Sequence, residues 1–179
     1  TEFKDTIIKL EESFEKLTYI TKIQSSPVLL TAVHTMEQKL EDGMLKYAEP
    51  YTKGIAMYVA NETNSSYLIK NRDTGIDSNH VSDDTFKRML IDQIKDNDIK
   101  LVIDLHGASI TRDFDVELGN LNNLSTDYST IKELIDSFNE NGILNIKINE
   151  PFKGGCVTQK IYFETNCDLI PNKSLDFKI

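Results

Sequence analysis

Short apolar segments alternate along this chain with segments of helical periodicity, and that alternation constrains the fold more than any other feature. A short run of aliphatic and β-branched residues indicates a strand that is buried on both faces of a sheet. Apolar residues at every third or fourth position indicate an amphipathic helix instead. The predicted strands are residues 27–33, 66–70, 101–105, 143–148 and 157–164. The predicted helices are residues 2–17, 49–61, 84–95 and 128–140.

This order of elements predicts an α/β fold in which helices cover a mixed central sheet. A chain of 179 residues can bury one core without disulfides or structural metals. The sequence contains no repeat and no linker composition, so we expect a single domain over residues 1–179. We expect the amphipathic helix within residues 1–20 to pack on the body of that domain, and it carries no visible chemistry.

The charge balance argues against nucleic acid as a partner. The chain has 29 acidic and 20 basic residues, a formal net charge of -9, and this surplus would repel a phosphate backbone. No apolar run approaches the roughly 20 residues of a membrane-spanning helix, so we expect no membrane insertion. Cys156 and Cys167 are too few for a disulfide framework, and no apolar leader is visible, so we expect a cytoplasmic protein.

Two of the three histidines stand at the ends of predicted strands. His34 follows the strand of residues 27–33, and His106 follows that of residues 101–105. Ligands of open α/β sheets collect at the carboxyl ends of strands, so we expect both side chains at one edge. A tight turn could aim Glu37 at the same point. Catalytic zinc sites commonly use three such ligands and leave a position for water, so we predict a zinc site at His34, Glu37 and His106.

The same residues also have simpler explanations. Histidines in a chain of this size are often surface or core residues, and His-x-x-Glu arises often by chance. His80 lies in a polar loop, so we interpret it as a solvent-facing or substrate-side residue and as the reserve ligand. Asp104 points to the same side of its strand as His106. It could accept the second imidazole N–H of His106, although an ordinary hydrogen bond at the strand end explains it equally well.

A zinc hydrolase also needs a base and a group that grips the substrate. Glu164 is the candidate base because a carboxylate in the predicted strand of residues 157–164 needs a polar cleft; an exposed glutamate is the alternative. Arg72, with Asn71, follows a predicted strand and could hold a substrate carboxylate through two hydrogen bonds. Arg112 competes for that role, and a surface salt bridge would explain either arginine.

Taken in order, these segments resemble the zinc carboxypeptidase superfamily, and they are most similar to its N-formylglutamate amidohydrolase-like branch. The resemblance covers about residues 27–166, and several motifs in one order are more specific than any one of them. The main motifs are His34-x-x-Glu37, Asn71-Arg72, His106 and Tyr162-Phe163-Glu164-Thr165. The supporting matches are Glu41-Asp42-Gly43, Ala48-Glu49-Pro50, Gly54-Ile55-Ala56, Asp104-Leu105-His106-Gly107, residues 112–119, Gly154-Gly155 and Thr158-Gln159.

The resemblance implies a phosphorylase/hydrolase-like, three-layer α/β/α sandwich and a zinc-dependent amidohydrolase that acts on a small N-acyl amino acid, N-formylglutamate-like. In that family pattern, zinc would be bound by His34, Glu37 and His106, and Glu164 would be the general base. Asn71 and Arg72 would bind the substrate carboxylate. Arg112 would polarise the scissile carbonyl or grip the substrate. The residues between Glu37 and Ala48 look condensed compared with the family, so we expect a reduced or reshaped pocket, and the resemblance does not define the exact substrate.

Two other functions are compatible with the sequence. A carboxypeptidase acting on a peptide C-terminus would need an open groove, whereas a small acyl amino acid would not. A non-catalytic binding protein could keep the fold and bind no metal, or bind one structurally. Metal content distinguishes this last alternative from the two enzymes.

Overall fold

The computed structural model describes residues 1–165 and the backbone of residues 173–178; Cys167 lies outside the described residues. The helices are α1 (Glu2–Glu11), α2 (Thr52–Glu62), α3 (Thr85–Asp96), α4 (Tyr128–Glu140) and α5 (Cys156–Thr165). The strands are β1 (Tyr19–Lys22), β2 (Val28–Ala32), β3 (Gln38–Lys39), β4 (Leu45–Lys46), β5 (Ser66–Lys70), β6 (Leu101–His106), β7 (Val116–Gly119), β8 (Ile146–Ile148) and β9 (Lys173–Lys178).

Seven of these strands form one mixed sheet in the order β1-β5-β2-β6-β9-β7-β8. Its centre is parallel, because β2 pairs in parallel with both β5 and β6, and β6 pairs in parallel with β9. The strands β1 and β7 run antiparallel to their neighbours β5 and β9. The remaining pair, β3 and β4, forms a separate antiparallel hairpin. The mixed sheet that the sequence predicts is therefore confirmed.

Helices cover both faces of the sheet, and the alternation of side chains along β2 shows how. Leu29 packs into a core with residues of α3 and α5, among them Phe86 and Ile161. Leu30, one position on, packs into a second core on the opposite face with Met57 of α2. A third cluster lies where α4 packs against β7 and β8. The arrangement is the three-layer α/β/α sandwich that the resemblance implies.

The N-terminal helix is held against α2 by a close backbone contact. A Cβ atom at Gly54 would lie 2.5 Å from the carbonyl oxygen of Ile7, so only glycine permits the two helices to approach this closely. The carboxylate of Glu11 completes the junction by accepting hydrogen bonds from the backbone N–H groups of Tyr51 and Gly54. None of the helices in the described part of the chain has the length and apolar character needed to cross a bilayer.

One predicted element is wrong: residues 157–164 belong to helix α5 and not to a strand. The buried residues of this helix are Val157, Thr158, Ile161 and Thr165, and their spacing of three and four positions is helical. The sequence predicts a strand here because Ile161 and Phe163 are apolar and two positions apart. In the structure Ile161 is buried and Phe163 is exposed, so the two side chains do not share a buried face. Glu164 therefore does not end a buried strand.

Candidate metal centre

Two histidines meet where the neighbouring parallel strands β2 and β6 end. His106 is the last residue of β6, and His34 lies two residues beyond β2. Because the two strands pair in parallel, their carboxyl ends lie at the same edge of the sheet. The ring centroids are 5.1 Å apart, and both side chains are buried. This is the convergence that the sequence predicts for His34 and His106.

The carboxylate between the two rings belongs to Glu49. Its Oε1 lies 3.0 Å from Nδ1 of His34, and its Oε2 lies 3.1 Å from Nδ1 of His106. The backbone N–H of Gly107 also donates to Oε2, at 3.1 Å. One nitrogen of each histidine and one oxygen of Glu49 lie within 4.8 Å of one another. Ligand atoms of a tetrahedral zinc lie roughly 3 to 4 Å apart, so small side-chain movements would bring all three into range.

The hairpin of β3 and β4 explains how a residue distant from His34 in sequence comes to face it. The chain leaves His34, forms the hairpin, and returns so that the backbone N–H of Glu49 donates to the carbonyl oxygen of His34 at 2.7 Å. That bond fixes the backbone of Glu49 beside His34. Gly107 leaves room for the approach, since a Cβ atom there would lie 3.1 Å from Cβ of Glu49.

Each imidazole has a second carboxylate on its other nitrogen. Asp77 Oδ1 lies 2.8 Å from Nε2 of His34, and Asp104 Oδ2 lies 3.0 Å from Nε2 of His106. Thr31 donates a hydrogen bond of 2.7 Å to the other oxygen of Asp104. Asp104 thus lies where the sequence analysis expects it. Such partners fix the ring orientation and can hold a proton on Nε2, so Nδ1 is the nitrogen that would face a metal ion.

The carboxylates of Glu49, Asp77 and Asp104, which contact the two imidazoles, are all held in the ionised form. Burial raises the pKa of Glu49, but hydrogen bonds from His106 and His34 outweigh it, so this pKa lies well below its usual range. Burial likewise raises the pKa of Asp77, and the hydrogen bond with His34 reverses the effect and brings the pKa to about 2. For Asp104, the charge of His106 outweighs burial and lowers the pKa.

This donor set fits a divalent cation. A cation that displaced the Nδ1 protons would meet two Nδ1 lone pairs and the Glu49 carboxylate at about hydrogen-bond distance from one another. Three carboxylates also surround the two buried imidazoles, which favours positive charge at this point. A cation bound by His34, Glu49 and His106 would satisfy both conditions, and nitrogen with carboxylate oxygen is a donor set that zinc accepts.

The loop that carries Asp77 is fixed by a buried lysine. Lys70 is fully buried at the end of β5, and its ammonium donates to the carbonyl oxygen of Ile76 and to Oγ of Ser78. Ser78 in turn donates to Asp84, the residue that caps α3. Burial lowers the pKa of Lys70, and Asp84 and Asp77 oppose that shift. These contacts hold the backbone on both sides of Asp77.

Asn79 connects the same loop to helix α5. Its backbone carbonyl accepts a hydrogen bond from Cys156, and its Oδ1 accepts one from the N–H of Val157, so it satisfies donors in the first turn of the helix. Its Nδ2 lies 3.3 Å from Nε2 of His106. A Cβ atom at Gly155 would overlap this side chain at 1.9 Å, which explains the glycine. The amino end of α5 therefore adjoins the metal centre.

The structure does not bring Glu37 into the cluster. Glu37 is exposed on the turn that precedes β3, while Glu49 occupies the position between the histidines. The physical reason is that the chain turns away after His34 to enter the hairpin. His80 is exposed as well, and its backbone N–H donates to the carbonyl of Asp77, so it is not in this cluster.

Asn71 and Arg72 have other partners than a substrate in this structure. The Asn71 amide is buried, donates to the carbonyl oxygens of Phe14 and Leu17, and accepts from Lys53. It therefore secures the segment that follows α1. Arg72 is exposed, and its guanidinium lies 3.4 Å from the carbonyl oxygen of Lys16.

Arg112 and Glu164 both lie on the surface, which for Glu164 is the alternative that the sequence leaves open. Arg112 is exposed, and its guanidinium carbon lies 5.1 Å from the centre of the Phe152 ring, which is cation–π geometry. Glu164 is exposed near the carboxyl end of α5 and forms a salt bridge of 2.5 Å with Lys160. Eight residues of helix rise separate it by roughly 12 Å from the end of α5 that adjoins the centre.

Sequence reasoning missed Glu49 and Asp77. Glu49 belongs to the segment Ala48-Glu49-Pro50, in which a carboxylate precedes a helix-starting proline, and this was the available signal. Asp77 lies in the polar loop with His80, where no periodicity marks it. Only the fold shows that both carboxylates face His34.

Comparison with known proteins supports the fold. No protein-family model matches the sequence, and no curated protein matches it significantly. Among solved structures, an N-formylglutamate amidohydrolase from Ralstonia eutropha JMP134 matches with a TM-score of 0.62 and 10% identity over 90% of this chain and 85% of that chain. A zinc-free apo form of YNDL matches with a TM-score of 0.53 and 18% identity over 89% and 69% of the two chains. A bacteriophage poly-gamma-glutamate hydrolase matches with a TM-score of 0.51 and 15% identity over 91% and 70%.

Proposed function

We propose that this chain is a zinc-dependent amidohydrolase that cleaves the amide bond of a small N-acyl amino acid. The observation that carries the proposal is the cluster of His34, Glu49 and His106 at the carboxyl ends of two parallel strands. Each imidazole of this cluster is oriented by an aspartate on its far nitrogen. Clusters of this kind, at this edge of an α/β sheet, are suited to binding a catalytic metal.

The described residues have distinct roles at the proposed zinc centre. His34, Glu49 and His106 would hold zinc, and the ion would supply Lewis acidity that polarises a carbonyl and makes water nucleophilic near neutral pH. Asp77 and Asp104 keep the Nε2 protons in place, so that each ring presents its Nδ1 lone pair to the centre. The N–H of Gly107 holds the Glu49 carboxylate in position.

The choice of an amide substrate draws on the structural neighbours. Two of them are described as an N-formylglutamate amidohydrolase and a poly-gamma-glutamate hydrolase, and both names denote cleavage of an amide next to a glutamate unit. A third is described as the zinc-free, apo form of YNDL. These descriptions support an amide bond near a carboxylate as the class of substrate to test first.

Metal analysis and a substrate panel test the proposal together. We expect about one equivalent of zinc per chain, and release of free amine from N-formyl-L-glutamate or N-acetyl-L-glutamate. Chelation should abolish the release and added zinc should restore it. The panel should include a γ-linked glutamate oligomer and a peptide with a free C-terminus, because these would identify a polymer hydrolase or a carboxypeptidase.

The control variant is His80→Ala, since His80 is the one histidine outside the cluster. His106→Ala should lose both zinc and hydrolysis, whereas His80→Ala should keep zinc. Less than about half an equivalent of zinc, without recovery on reconstitution, would refute the proposal and favour the non-catalytic binding protein.

A further inference from the structure

The hairpin of β3 and β4 places a buried amide and a lysine side by side next to the metal centre. Gln38 and Lys46 are direct partners in the register of this antiparallel pair. Residues directly opposite each other project their side chains from the same face of a pair, with Cβ atoms about 4.5–5.5 Å apart. Lys46 Nζ lies 3.4 Å from Oε1 of Glu49. The shared face of Gln38 and Lys46 is therefore the one that adjoins the centre.

The Gln38 side chain has unused hydrogen-bonding capacity. It is fully buried, and neither its Nε2 nor its Oε1 makes a hydrogen bond within the described part of the chain. A buried amide without partners destabilises a fold, and most buried polar atoms are paired for that reason. Because Gln38 shares the hairpin face of Lys46, whose ammonium lies beside Glu49, a ligand that reaches Lys46 is the candidate partner for this amide. A carboxamide offers that ligand one N–H donor group and one carbonyl acceptor.

Lys46 is also available to a ligand. Its side chain is 34% exposed, and its contact with Glu49 at 3.4 Å is long for a charge-assisted hydrogen bond. Glu49 already has shorter contacts with His34 and His106, so it does not depend on Lys46. A cavity of about 340 Å³ opens here, lined by residues 45–50 and 107–109, and Lys46 is the only basic residue among those lining residues.

We propose that Lys46 Nζ and Gln38 Nε2 form a subsite that binds a carboxylate of the substrate beside the metal centre. This deepens the proposed function and rests on it, because it defines the substrate as an N-acyl amino acid whose carboxylate lies against the hairpin. The ammonium of Lys46 attracts the carboxylate by its charge, and the amide N–H of Gln38 orients the carboxylate through a hydrogen bond. Oε1 of Gln38 then accepts an N–H of the same molecule, which an N-acyl amino acid also carries.

This subsite takes over the role that the sequence assigned to Asn71 and Arg72. The Asn71 amide is fully engaged with backbone carbonyls and Lys53, and Arg72 lies on the surface near Lys16. Lys46, in contrast, reaches within 3.4 Å of a residue that touches both histidines. The hairpin thus has two roles. The chain that follows β4 places Glu49 beside His34, and the hairpin face with Gln38 and Lys46 would bind the substrate.

Calorimetric titration with glutarate tests the subsite, and glutaramide, which has the same length without charge, is the matched probe. The titrations use the purified protein with zinc and again after removal of zinc, so that direct carboxylate–zinc contact is separated from the subsite. We expect Lys46→Met to weaken glutarate binding about 10-fold or more in both forms, as loss of a charge-assisted hydrogen bond does. Glutaramide binding should change little. The control is Lys39→Met, because Lys39 is the exposed neighbour of Gln38 on the opposite side of the same hairpin.

Gln38→Leu provides a second measurement that a merely structural role would not reproduce. It should weaken glutarate binding and at the same time raise the melting temperature, because it removes a buried amide that has no partner in the free protein. Wild-type glutarate binding by Lys46→Met would overturn the subsite, as would an equal loss in Lys39→Met. A lower melting temperature with unchanged binding in Gln38→Leu would overturn the role of Gln38.

The outcome is separable from that of the proposed function. Glutarate binding that depends on Lys46 in zinc-free protein supports the subsite even if the protein hydrolyses nothing. Conversely, zinc-dependent hydrolysis with an unchanged KM in Lys46→Met overturns the subsite and leaves the proposed function standing.

Discussion

Replacement of Glu49 by Gln is the perturbation that the geometry of the centre predicts most sharply. Among the described residues, Glu49 is the carboxylate that contacts Nδ1 of both His34 and His106, at 3.0 and 3.1 Å. Gln has the same shape but no charge, so the variant removes the anionic ligand and leaves both rings in place. Glu37→Gln is the matched control, because Glu37 is the nearest alternative in sequence and is exposed.

The size of the effect follows from the position of Glu49 in the cluster. Loss of an outer partner of a metal-binding histidine typically costs about 10- to 100-fold in metal affinity. Loss of the direct anionic ligand should cost more, so we expect zinc affinity to fall by at least about 100-fold, or about 2.8 kcal/mol. The metal-free variant should remain folded, because the Gln amide can donate to an Nδ1 lone pair and its oxygen can still accept from the N–H of Gly107.

Competition against a chromophoric zinc chelator measures the affinity, and thermal unfolding of the metal-free proteins measures the fold. The expected pattern is weak zinc binding in Glu49→Gln, wild-type binding in Glu37→Gln, and similar melting temperatures for both. Wild-type zinc affinity in Glu49→Gln, or an equal loss in Glu37→Gln, would refute the assignment of Glu49. Unfolding of metal-free Glu49→Gln would refute the argument that the Gln amide can replace the carboxylate in the metal-free centre.

Three further predictions concern the surroundings of the centre. Asp77→Asn and Asp104→Asn should each lower zinc affinity by about 10- to 100-fold, measured by the same competition, because each fixes the proton on one Nε2. Lys70→Met should lower the free energy of unfolding by about 1–3 kcal/mol in urea denaturation, because the carbonyl of Ile76 loses its buried donor. Glu164→Gln should leave zinc affinity unchanged and hydrolysis close to wild type in an amine-release assay; a loss of orders of magnitude in rate would restore the sequence-based role of Glu164 as base.

The sequence predicts those features of the site that depend on local pattern. His34 and His106 are predictable because each follows a short apolar run, and parallel neighbouring strands then bring their ends together. The contact between Asp104 and His106 is predictable for the same reason, since residues two apart share one face of a strand. The helix α4 begins and ends at the residues that its apolar spacing indicates.

Local sequence pattern does not predict contacts that form only after the chain has turned back on itself. Glu37 is nearer to His34 in sequence, yet Glu49 is nearer in space, because a hairpin intervenes and a backbone hydrogen bond closes the loop. The sequence predicts a strand in place of helix α5 because a short apolar alternation fits both periods, and the deciding contacts come from Asn79 at the first turn of the helix. Local propensity contains neither of these constraints.

The buried lysines show why the site could not be derived from pattern alone. Lys53 donates to the carbonyl oxygen of Ser13 and to Asn71, while Lys70 and Lys87 donate to the carbonyl oxygens of Ile76 and Val81. Burial lowers the pKa of all three, so each ammonium is held at a cost that its hydrogen bonds offset. Together they fix the segment of residues 71–81 near its start, at its middle and at its end. Because Asp77 on this segment orients His34, the precision of the metal centre depends on charges that a sequence pattern would have placed on the surface.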